Sequence, residues 1–416
     1  MSARTPERGP HDAGTRREEL AAPSAGRALE VLWAFLRLGL TSFGGPVAHL
    51  GYFRTEFVER RRWLDDRGFS DLVALCQFLP GPASSQTGMA LGLARAGWLG
   101  ALMAWVGFTL PSALALIAFA YGIARYGDLA ASGVVHGLKV AAVAVVAQAV
   151  WGMAKSLCPD RPRAGLAIFA ALLTLLLPSA IGQVGAIFIC GLIGWRLLRL
   201  PRGAPMQRVA FGVSRRAGVV ALALFAILLL GLPLLAAISG SALWQRVDGF
   251  YRAGSLVFGG GHVVLPLLQS VVVPSGAVDE SVFLAGYGAA QAVPGPLFSF
   301  AAYLGAVMTG PLTGWAGGLV LLVVIFVPGF LLVVGALPFW DALRRRDAVQ
   351  SAMAGVNAGV VGLLLSALYD PVWTSAIHSR FDFGLAVAAF GLLVYARLSP
   401  VIVVALAAAA AAVANL

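Results

Sequence analysis

QFLPGP, residues 77–82, returns as QAVPGP at residues 291–296, about 215 residues further along the chain. Other landmarks repeat in the same order around both stretches. An arginine (Arg37 or Arg252) and a Phe-Gly-Gly element precede each stretch, and a Gly-Trp pair and a proline follow it. Five ordered landmarks are not expected by chance, so the sequence predicts a duplicated protein with a site between its halves.

The composition is that of a membrane protein. Hydrophobic residues make up 59% of the chain and charged residues 12%, and the mean hydropathy is +0.85. Apolar runs recur from Val31 to Val413, and a helix of about 20 residues spans the hydrocarbon layer. The predicted fold is therefore an all-α polytopic membrane protein whose two homologous helical halves form an inverted-topology repeat with broken or re-entrant helices.

Four regions follow from this pattern. Residues 1–29 are polar and are expected to form a disordered cytoplasmic tail. Residues 30–200 form the first repeat and 241–416 the second, while 201–240 hold a basic cytoplasmic loop and a linking transmembrane helix. Because the number of crossings between the copies is odd, the linking helix inverts the second copy.

The distribution of charge predicts the orientation. Arginines are concentrated in the loops at 54–67, 196–216 and 344–346, which we assign to the cytoplasm, the inner-membrane side that favours basic loops. The second-copy equivalent of the first loop, residues 271–281, has no Lys or Arg and carries Asp279 and Glu280. The net charge of +11 is thus explained by orientation, and nucleic-acid binding is not expected.

The number of crossings depends on four glycine- and proline-rich segments. Counting every long apolar run gives about 13 spans, and treating these segments as hairpins gives about nine. We favour hairpins, because residues 31–53 lie between two basic regions and contain Gly39, Gly44, Gly45 and Pro46. The other spans are expected near 97–124, 134–157, 163–178, 180–198, 217–238, 313–338, 350–369, 383–397 and 399–414.

The two Pro-Gly-Pro turns are the strongest candidates for a binding site. Proline on both sides of a glycine ends a helix, so the next helix begins inside the membrane with free N–H groups and a positive dipole end that attracts anions. A kinked structural helix is the alternative. The candidate residues of these turns are Gln77, Pro80, Gly81, Pro82, Ser84 and Ser85 in the first copy and Gln291, Pro294, Gly295, Pro296 and Ser299 in the second.

Arg37 and Arg252 occupy equivalent positions inside apolar runs. An unpaired charge there costs roughly 3 kcal/mol or more, and no Asp or Glu of the spans is expected to be a partner. Two arginines related by a two-fold axis could neutralise one dianion. The alternative is that each side chain extends to the membrane interface.

Further candidates surround these turns. The Phe-Gly-Gly glycines could form a second helix break that exposes N–H groups, or could only allow close packing of helices. Two histidines could carry a proton, and two polar residues at equivalent positions could contact the site. These candidates are Gly44, Gly45, Gly259, Gly260, His49, His262, Lys139 and Asn357. No metal site or cofactor is expected, because Cys76, Cys158 and Cys190 lack metal-ligand spacing.

The repeated motifs resemble those of the chromate ion transporter family in its long, two-domain form. The resemblance rests on Phe43 to Pro46, the basic loop ending in Trp63-Leu64, both Pro-Gly-Pro stretches, and Phe258 to His262. It implies an inner-membrane protein that exports chromate, confers chromate resistance and is energised by the proton motive force. Sulfate or another oxyanion remains an alternative substrate, and the oligomeric state is open, with a homodimer as one candidate.

Two other classes of function share some of these features. A passive anion channel would use the same residues and would differ only in that anion movement is not coupled to an energy source. A membrane enzyme acting on a lipid phosphate would also need arginines and helix ends, but the carboxylates, histidine cluster or metal ligands of such a site are not evident. No nucleotide-binding Gly-Lys-Ser/Thr loop is present. We therefore rank a transporter first, a channel second and an enzyme last.

Overall fold

A computed structural model describes most of the chain and is helical throughout its described part. No strand occurs in that part, so the all-α prediction is confirmed. The described residues are 25–43, 45–125, 133–177, 179–198, 212–257, 263–343 and 346–414.

The first half contains helices α1 to α7, and α8 links it to the second. Helix α1 begins at Ala25, so the predicted disorder of residues 1–29 is wrong for 25–29, where an amphipathic helix already packs on its neighbours. Residues 1–24 lie outside the described part. The helices are α1 (Ala25–Thr41), α2 (Gly45–Arg54, continued by a π-helical turn, Thr55–Arg60), α3 (Asp66–Phe78), α4 (Ala83–Arg125), α5 (Gly133–Leu157), α6 (Arg161–Leu176), α7 (Ala180–Leu197) and α8 (Arg215–Ser239).

The second half repeats this order. A 3₁₀ turn, Leu297–Ser299, precedes α12, and a π-helical segment, Leu368–Trp373, follows α15. The helices are α9 (Ala242–Leu256), α10 (Val264–Val272), α11 (Glu280–Ala292), α12 (Phe300–Val307), α13 (Gly314–Ala336), α14 (Trp340–Leu343), α15 (Asp347–Ala367), α16 (Arg380–Val394) and α17 (Pro400–Ala414).

Helices occupy all nine positions at which a span was expected, but their lengths differ. Helices α6, α16 and α17 have 16, 15 and 15 residues, which at 1.5 Å per residue is shorter than the hydrocarbon layer. Five helices of the described part are long and apolar enough to cross a membrane: Ala83–Ile123, Gly133–Leu157, Arg215–Ser239, Gly314–Phe339 and Asp347–Trp373. The chain is thus a multi-pass membrane protein.

Helices α1 and α2 form an antiparallel hairpin. Arg61 Nη1 lies 3.4 Å from Glu30 Oε1 at its open end, and Phe35 stacks on Phe57 at 4.8 Å between ring centroids. The chain reverses just before Gly45, whose φ of 79° favours glycine. The chain reversal expected within residues 31–53 is confirmed.

The other repeat elements are hairpins too. In the first Pro-Gly-Pro hairpin, Arg95 lies over the Trp63 ring at 5.4 Å, which joins the open ends of α3 and α4. In the second, Tyr303 Oη donates to the Val282 carbonyl at 2.8 Å across α11 and α12. Helices α9 and α10 pack so closely that a Cβ on Gly249 would collide with Val271. Pro80 to Pro82 and Pro294 to Pro296 thus lie at the tips of the α3–α4 and α11–α12 hairpins.

A break inside α4 turns its second arm into a partner of α13. At the break, Gly97 has a φ of 65°, and its equivalent Gly314 has a φ of 62°. Beyond the break the two equivalent helices run antiparallel along a row of aromatic contacts. These are Trp98–Phe330 at 6.3 Å, Trp105–Phe326 at 5.7 Å and Tyr121–Trp315 at 6.1 Å between ring centroids.

The halves exchange their later helices. Helix α5 of the first half packs on α16 and α17 of the second, and α15 of the second packs on α6 and α7 of the first. Glycines allow these close approaches, since a Cβ on Gly137 would meet the backbone of Ala407 and one on Gly355 the backbone of Cys190. The two sequence repeats therefore do not form separate structural domains.

Candidate functional site

The tips of the two Pro-Gly-Pro hairpins each contact the opposite half. The Gly81 N–H donates to the Val257 carbonyl at 2.6 Å, and the Gly295 N–H donates to the Ser42 carbonyl at 3.0 Å. Ser42 and Val257 are equivalent residues, each directly before a Phe-Gly-Gly element. This reciprocal pair of bonds brings elements of both halves together around one region.

Both tip glycines are required by geometry. Their φ angles are 122° for Gly81 and 106° for Gly295, values that side chains other than glycine rarely adopt. A Cβ on Gly295 would lie 2.9 Å from Ser112 Oγ, and one on Gly81 would lie 3.2 Å from the Cα of Gly329. Ser112 and Gly329 are themselves equivalent, since each follows the repeated proline of its long helix.

His49 lies beside this crossing. Its Nδ1 is 3.3 Å from Ser84 Oγ, its ring packs edge-on against Phe108 at 5.2 Å, and it lies next to the Ser42 backbone. The imidazole is 1% exposed, and Nε2 has no hydrogen-bond partner among the described residues. The predicted candidates His49 and Ser84 thus meet beside the Ser42 backbone.

Helix α4 begins directly after the first Pro-Gly-Pro turn. The Gln86 N–H donates to the Pro82 carbonyl at 2.9 Å, which leaves the N–H groups of residues 83–85 without an acceptor inside the helix. Gln86 Nε2 donates to the carbonyls of Pro80 at 2.9 Å and Gly329 at 3.1 Å. The helix start is therefore fixed against the other half, with its positive dipole end at the crossing.

Buried polar atoms without partners are numerous on the hairpin arms and helices that form this crossing. Such atoms are rare in folded proteins, and each calls for a ligand, a water or another explanation. Among the described residues, the unpaired atoms of these segments include Ser42 Oγ, His49 Nε2, Ser85 Oγ, Gln86 Oε1, Thr109 Oγ1 and Gln291 Nε2. We treat this region, which we call the tip crossing, as the candidate site.

The second turn does not copy the first. Its following segment begins as a 3₁₀ turn, in which the Ser299 N–H donates to the Pro296 carbonyl at 3.0 Å. Ser299 Oγ also donates to that carbonyl, at 2.7 Å. The Ser299 hydroxyl proton thus stabilises its own turn, whereas the equivalent Ser85 Oγ is unpaired.

Arg37 lines a cavity of about 600 Å³ that extends along the α1–α2 hairpin from Arg60 to Thr41. Glu56 also lines this cavity and accepts from Arg60 Nη1 at 2.9 Å and Arg61 Nε at 2.7 Å. Burial alone would raise the pKa of the Glu56 carboxyl, but Arg61, Arg60 and the charge of Arg37 hold it below its usual range. The cavity therefore contains more cationic than anionic groups.

Arg252 is paired, contrary to the prediction. Its guanidinium forms an ion pair with Asp248, one turn earlier on α9. The expectation that no acidic residue of these segments is a partner is wrong, because Asp248 lies on the same helix face and is 3% exposed. Arg37 and Arg252 have no recorded contact with each other among the described residues.

Both halves of the chain match one known protein family. The chromate transporter family model matches residues 29–195 and 244–413, one region in each half. The chain belongs to the chromate transporter family. The chromate transport protein of Pseudomonas aeruginosa is 30% identical over 375 residues, covering 86% of this chain and 84% of that protein.

Other relatives of this family match over similar lengths. The chromate transport protein of Cupriavidus metallidurans is 27% identical, covering 82% of this chain and 81% of its own. An uncharacterized transporter of Methanocaldococcus jannaschii is 25% identical, covering 86% of this chain and 87% of its own. No solved structure gives a significant match.

Some of the predicted site residues of this transporter family member lie away from the tip crossing, and others lie outside the described part of the chain. The Gln77 side chain is exposed on α3. Lys139 on α5 interacts electrostatically with Glu280 at the start of α11. Asn357 Oδ1 is buried on α15 without a described partner. Gly44, Gly259, Gly260 and His262 lie outside the described residues.

No metal centre was found in the described part of this transporter family member, where no group of three or more His, Cys, Asp or Glu side chains converges. The free cysteines are Cys76, Cys158 and Cys190, of which Cys76 and Cys190 are buried. The chemistry available at the tip crossing is therefore that of backbone amides, hydroxyls, side-chain amides and one imidazole.

Sequence reasoning missed three residues of the tip crossing. Ser42, Thr109 and Ser112 are common residue types that do not stand out in the sequence. They reach the site only because the hairpins place them there. Two of them had a usable signal, since Ser42 directly precedes the Phe-Gly-Gly element and Ser112 follows the repeated proline.

Proposed function

We propose that this protein is a secondary transporter that carries chromate, or a similar tetrahedral oxyanion such as sulfate, out of the cytoplasm across the inner membrane and so confers chromate resistance. Relatives over most of the chain are named chromate transport proteins. The observation that supports the proposal most strongly is the tip crossing, where Gly81 and Gly295 reach into opposite halves among unpaired polar atoms.

The chemistry of the tip crossing suits an oxyanion. The free N–H groups at the start of α4 and the Ser85 hydroxyl can donate to oxygen atoms, and the dipole of the helix favours negative charge. His49 Nε2 supplies another donor when it carries the ring proton. Donors arranged around a tetrahedral dianion do not distinguish chromate from sulfate by shape alone, so both remain candidate substrates.

The antiparallel course of α13 and the second arm of α4 supports an inverted relation between the halves. In transporters of that kind, one half rocks against the other around a fixed central site. Arg37 and its cavity lie beside the basic loop that we assign to the cytoplasm. Substrate would enter there, attracted by Arg37 and Arg60, and leave through the second half.

The membrane potential can drive this export. With the cytoplasm negative, outward movement of a dianion is favoured by roughly 4.6 kcal/mol per 100 mV, twice the single-charge value. That energy supports a gradient of roughly 2,000-fold.

The function is tested by uptake of radiolabelled chromate into everted membrane vesicles energised by respiration. Excess sulfate serves as competitor and an ionophore collapses the potential. Energy-dependent chromate uptake that resists sulfate supports the proposal. Uptake of sulfate alone would identify sulfate as the substrate in place of chromate, and uptake beyond electrochemical equilibrium would exclude a passive channel. Vesicles lacking the protein are the control.

A further inference from the structure

We infer that Asp248 is an internal counter-anion that competes with the transported oxyanion for Arg252. This inference rests on the proposed function, because it assigns a specificity-determining residue to the same transport path. It concerns the second half, where the sequence predicted an unpaired arginine and the structure pairs it.

Asp248 is nearly enclosed by protein. It is 3% exposed, and its ion pair with Arg252 joins residues one turn apart, with the acid on the N-terminal side, the favourable order on a helix. Its second oxygen, Oδ1, is buried and has no hydrogen-bond partner among the described residues. A carboxylate held only for stability would be expected to have both oxygens satisfied.

The neighbouring cation on α9 does not complete this pairing. Arg246 donates to the backbone carbonyls of Thr309 and Pro311, which directly follow α12. Its donors are thus used in joining α9 to the segment after α12. Arg252 remains the cation that balances Asp248 in the described part of α9.

The two copies differ at this position. The repeat that aligns Arg37 with Arg252 aligns Trp33 with Asp248, and Trp33 is 63% exposed. The Arg37 guanidinium has no recorded hydrogen bond to a described side chain and lines an open cavity. Arg37 therefore faces a cavity, whereas the equivalent Arg252 is paired with a carboxylate. The duplication itself does not require this asymmetry.

This asymmetry gives the two ends of the path different affinities. An oxyanion meets Arg37 with no carboxylate bonded to it, because Glu56 of the same cavity is bonded to Arg60 and Arg61. To bind Arg252 it must displace the Asp248 carboxylate. Return of the carboxylate to Arg252 then expels the anion. Asp248 would therefore accelerate release from the second half, while Arg37 would capture substrate from the first.

The pair can be tested directly by arginine modification. Purified wild-type protein and D248N are treated with phenylglyoxal, and labelling of Arg252 is followed by peptide mass spectrometry. Loss of a charge-assisted bond should speed Arg252 labelling about tenfold in D248N. Chromate should protect Arg252 at lower concentration in D248N than in the wild type.

Two variants control for folding and for general charge effects. D248E keeps the carboxylate and should label like the wild type, and D279N removes an exposed acid from a nearby loop and should also leave labelling unchanged. Wild-type labelling of Arg252 in D248N would overturn the inference. If D248N does not fold, D248S takes its place. Faster Arg252 labelling in D248S with wild-type labelling in D248E supports the inference, and wild-type labelling in both variants overturns it.

A transport measurement separates this inference from the function itself. D248N should lower both KM and kcat for oxyanion transport, because tighter binding slows release. Unchanged KM and kcat would contradict a role for Asp248 in release. If wild-type protein transports no oxyanion, the proposed function fails, while the labelling difference still reports on the ion pair.

Discussion

The Gly81 N–H lies 2.6 Å from the Val257 carbonyl, and the equivalent bond from Gly295 to Ser42 measures 3.0 Å. Each joins a Pro-Gly-Pro tip of one half to the residue before the Phe-Gly-Gly element of the other. Neither half can therefore complete the tip crossing alone. The exchange of α5 and α15 between the halves has the same consequence for packing.

Substitution of Gly295 should abolish transport. In G295A the methyl group would meet Ser112 Oγ at 2.9 Å, and alanine is strained at a φ of 106°. The strain should cost about 1–3 kcal/mol, enough to displace the tip. Transport of labelled oxyanion and the thermal unfolding midpoint measure the two effects.

The matched control is G276A. Gly276 also has a positive φ, 66°, but a Cβ there would meet nothing within 4 Å. We expect G276A to keep transport, while alanine at this φ should cost about 1–2 kcal/mol of stability. Normal transport by G295A would show that the crossing does not contribute to the site.

Ser85 and Ser299 offer a comparison of equivalent hydroxyls. Ser85 Oγ is buried and unpaired, whereas Ser299 Oγ donates to the Pro296 carbonyl. S85A should raise KM for the oxyanion about tenfold through loss of one hydrogen bond to a charged group. S299A should instead lower the unfolding midpoint. The reverse result would assign the binding role to the second turn.

Removal of either repeated arginine should stop transport while the protein stays in the membrane. R37A loses the open cation of the cavity, and R252A leaves Asp248 buried without its cation. Initial rates in vesicles, normalised to protein level, measure the effect. If both variants transport normally, the arginines have no role in the path.

The two halves should be required together. A chain ending at residue 205 would leave α5 without α16 and α17, and α6 and α7 without α15. Each half expressed alone should therefore be degraded or inactive, and co-expression should restore transport. A single half that transports by itself would contradict the exchanged packing, unless two copies of that half assemble.

The sequence predicted much of this fold, because the repeated glycine and proline motifs are visible in it. The prolines and glycines at Pro80 to Pro82 and around Gly97 mark breaks that the structure contains. Apolar runs located the helices, although α6, α16 and α17 are shorter than the hydrocarbon layer is thick. The exposed outer faces of these helices are as apolar as the buried faces. On α8, for example, Leu230 is 73% exposed and Ile238 is 77% exposed. Composition alone therefore does not reveal how deeply a helix is buried or how long it is.

The site was less predictable than the fold. Gly81, Ser84 and His49 were identified because they lie in or near motifs, and the structure groups them. The Asp248–Arg252 pair was missed because an aspartate near the start of an apolar run resembles a loop residue in sequence. Ser42 and Thr109 depend on contacts between hairpins, which no local pattern encodes.

The most direct test of the central claim is equilibrium binding of radiolabelled chromate to the purified protein, with S85A and H49Q compared against S299A. We expect saturable binding by the wild type, about tenfold weaker binding by S85A and H49Q, and wild-type affinity for S299A. Equal affinity of all four proteins would place the oxyanion elsewhere and contradict the tip crossing as its site.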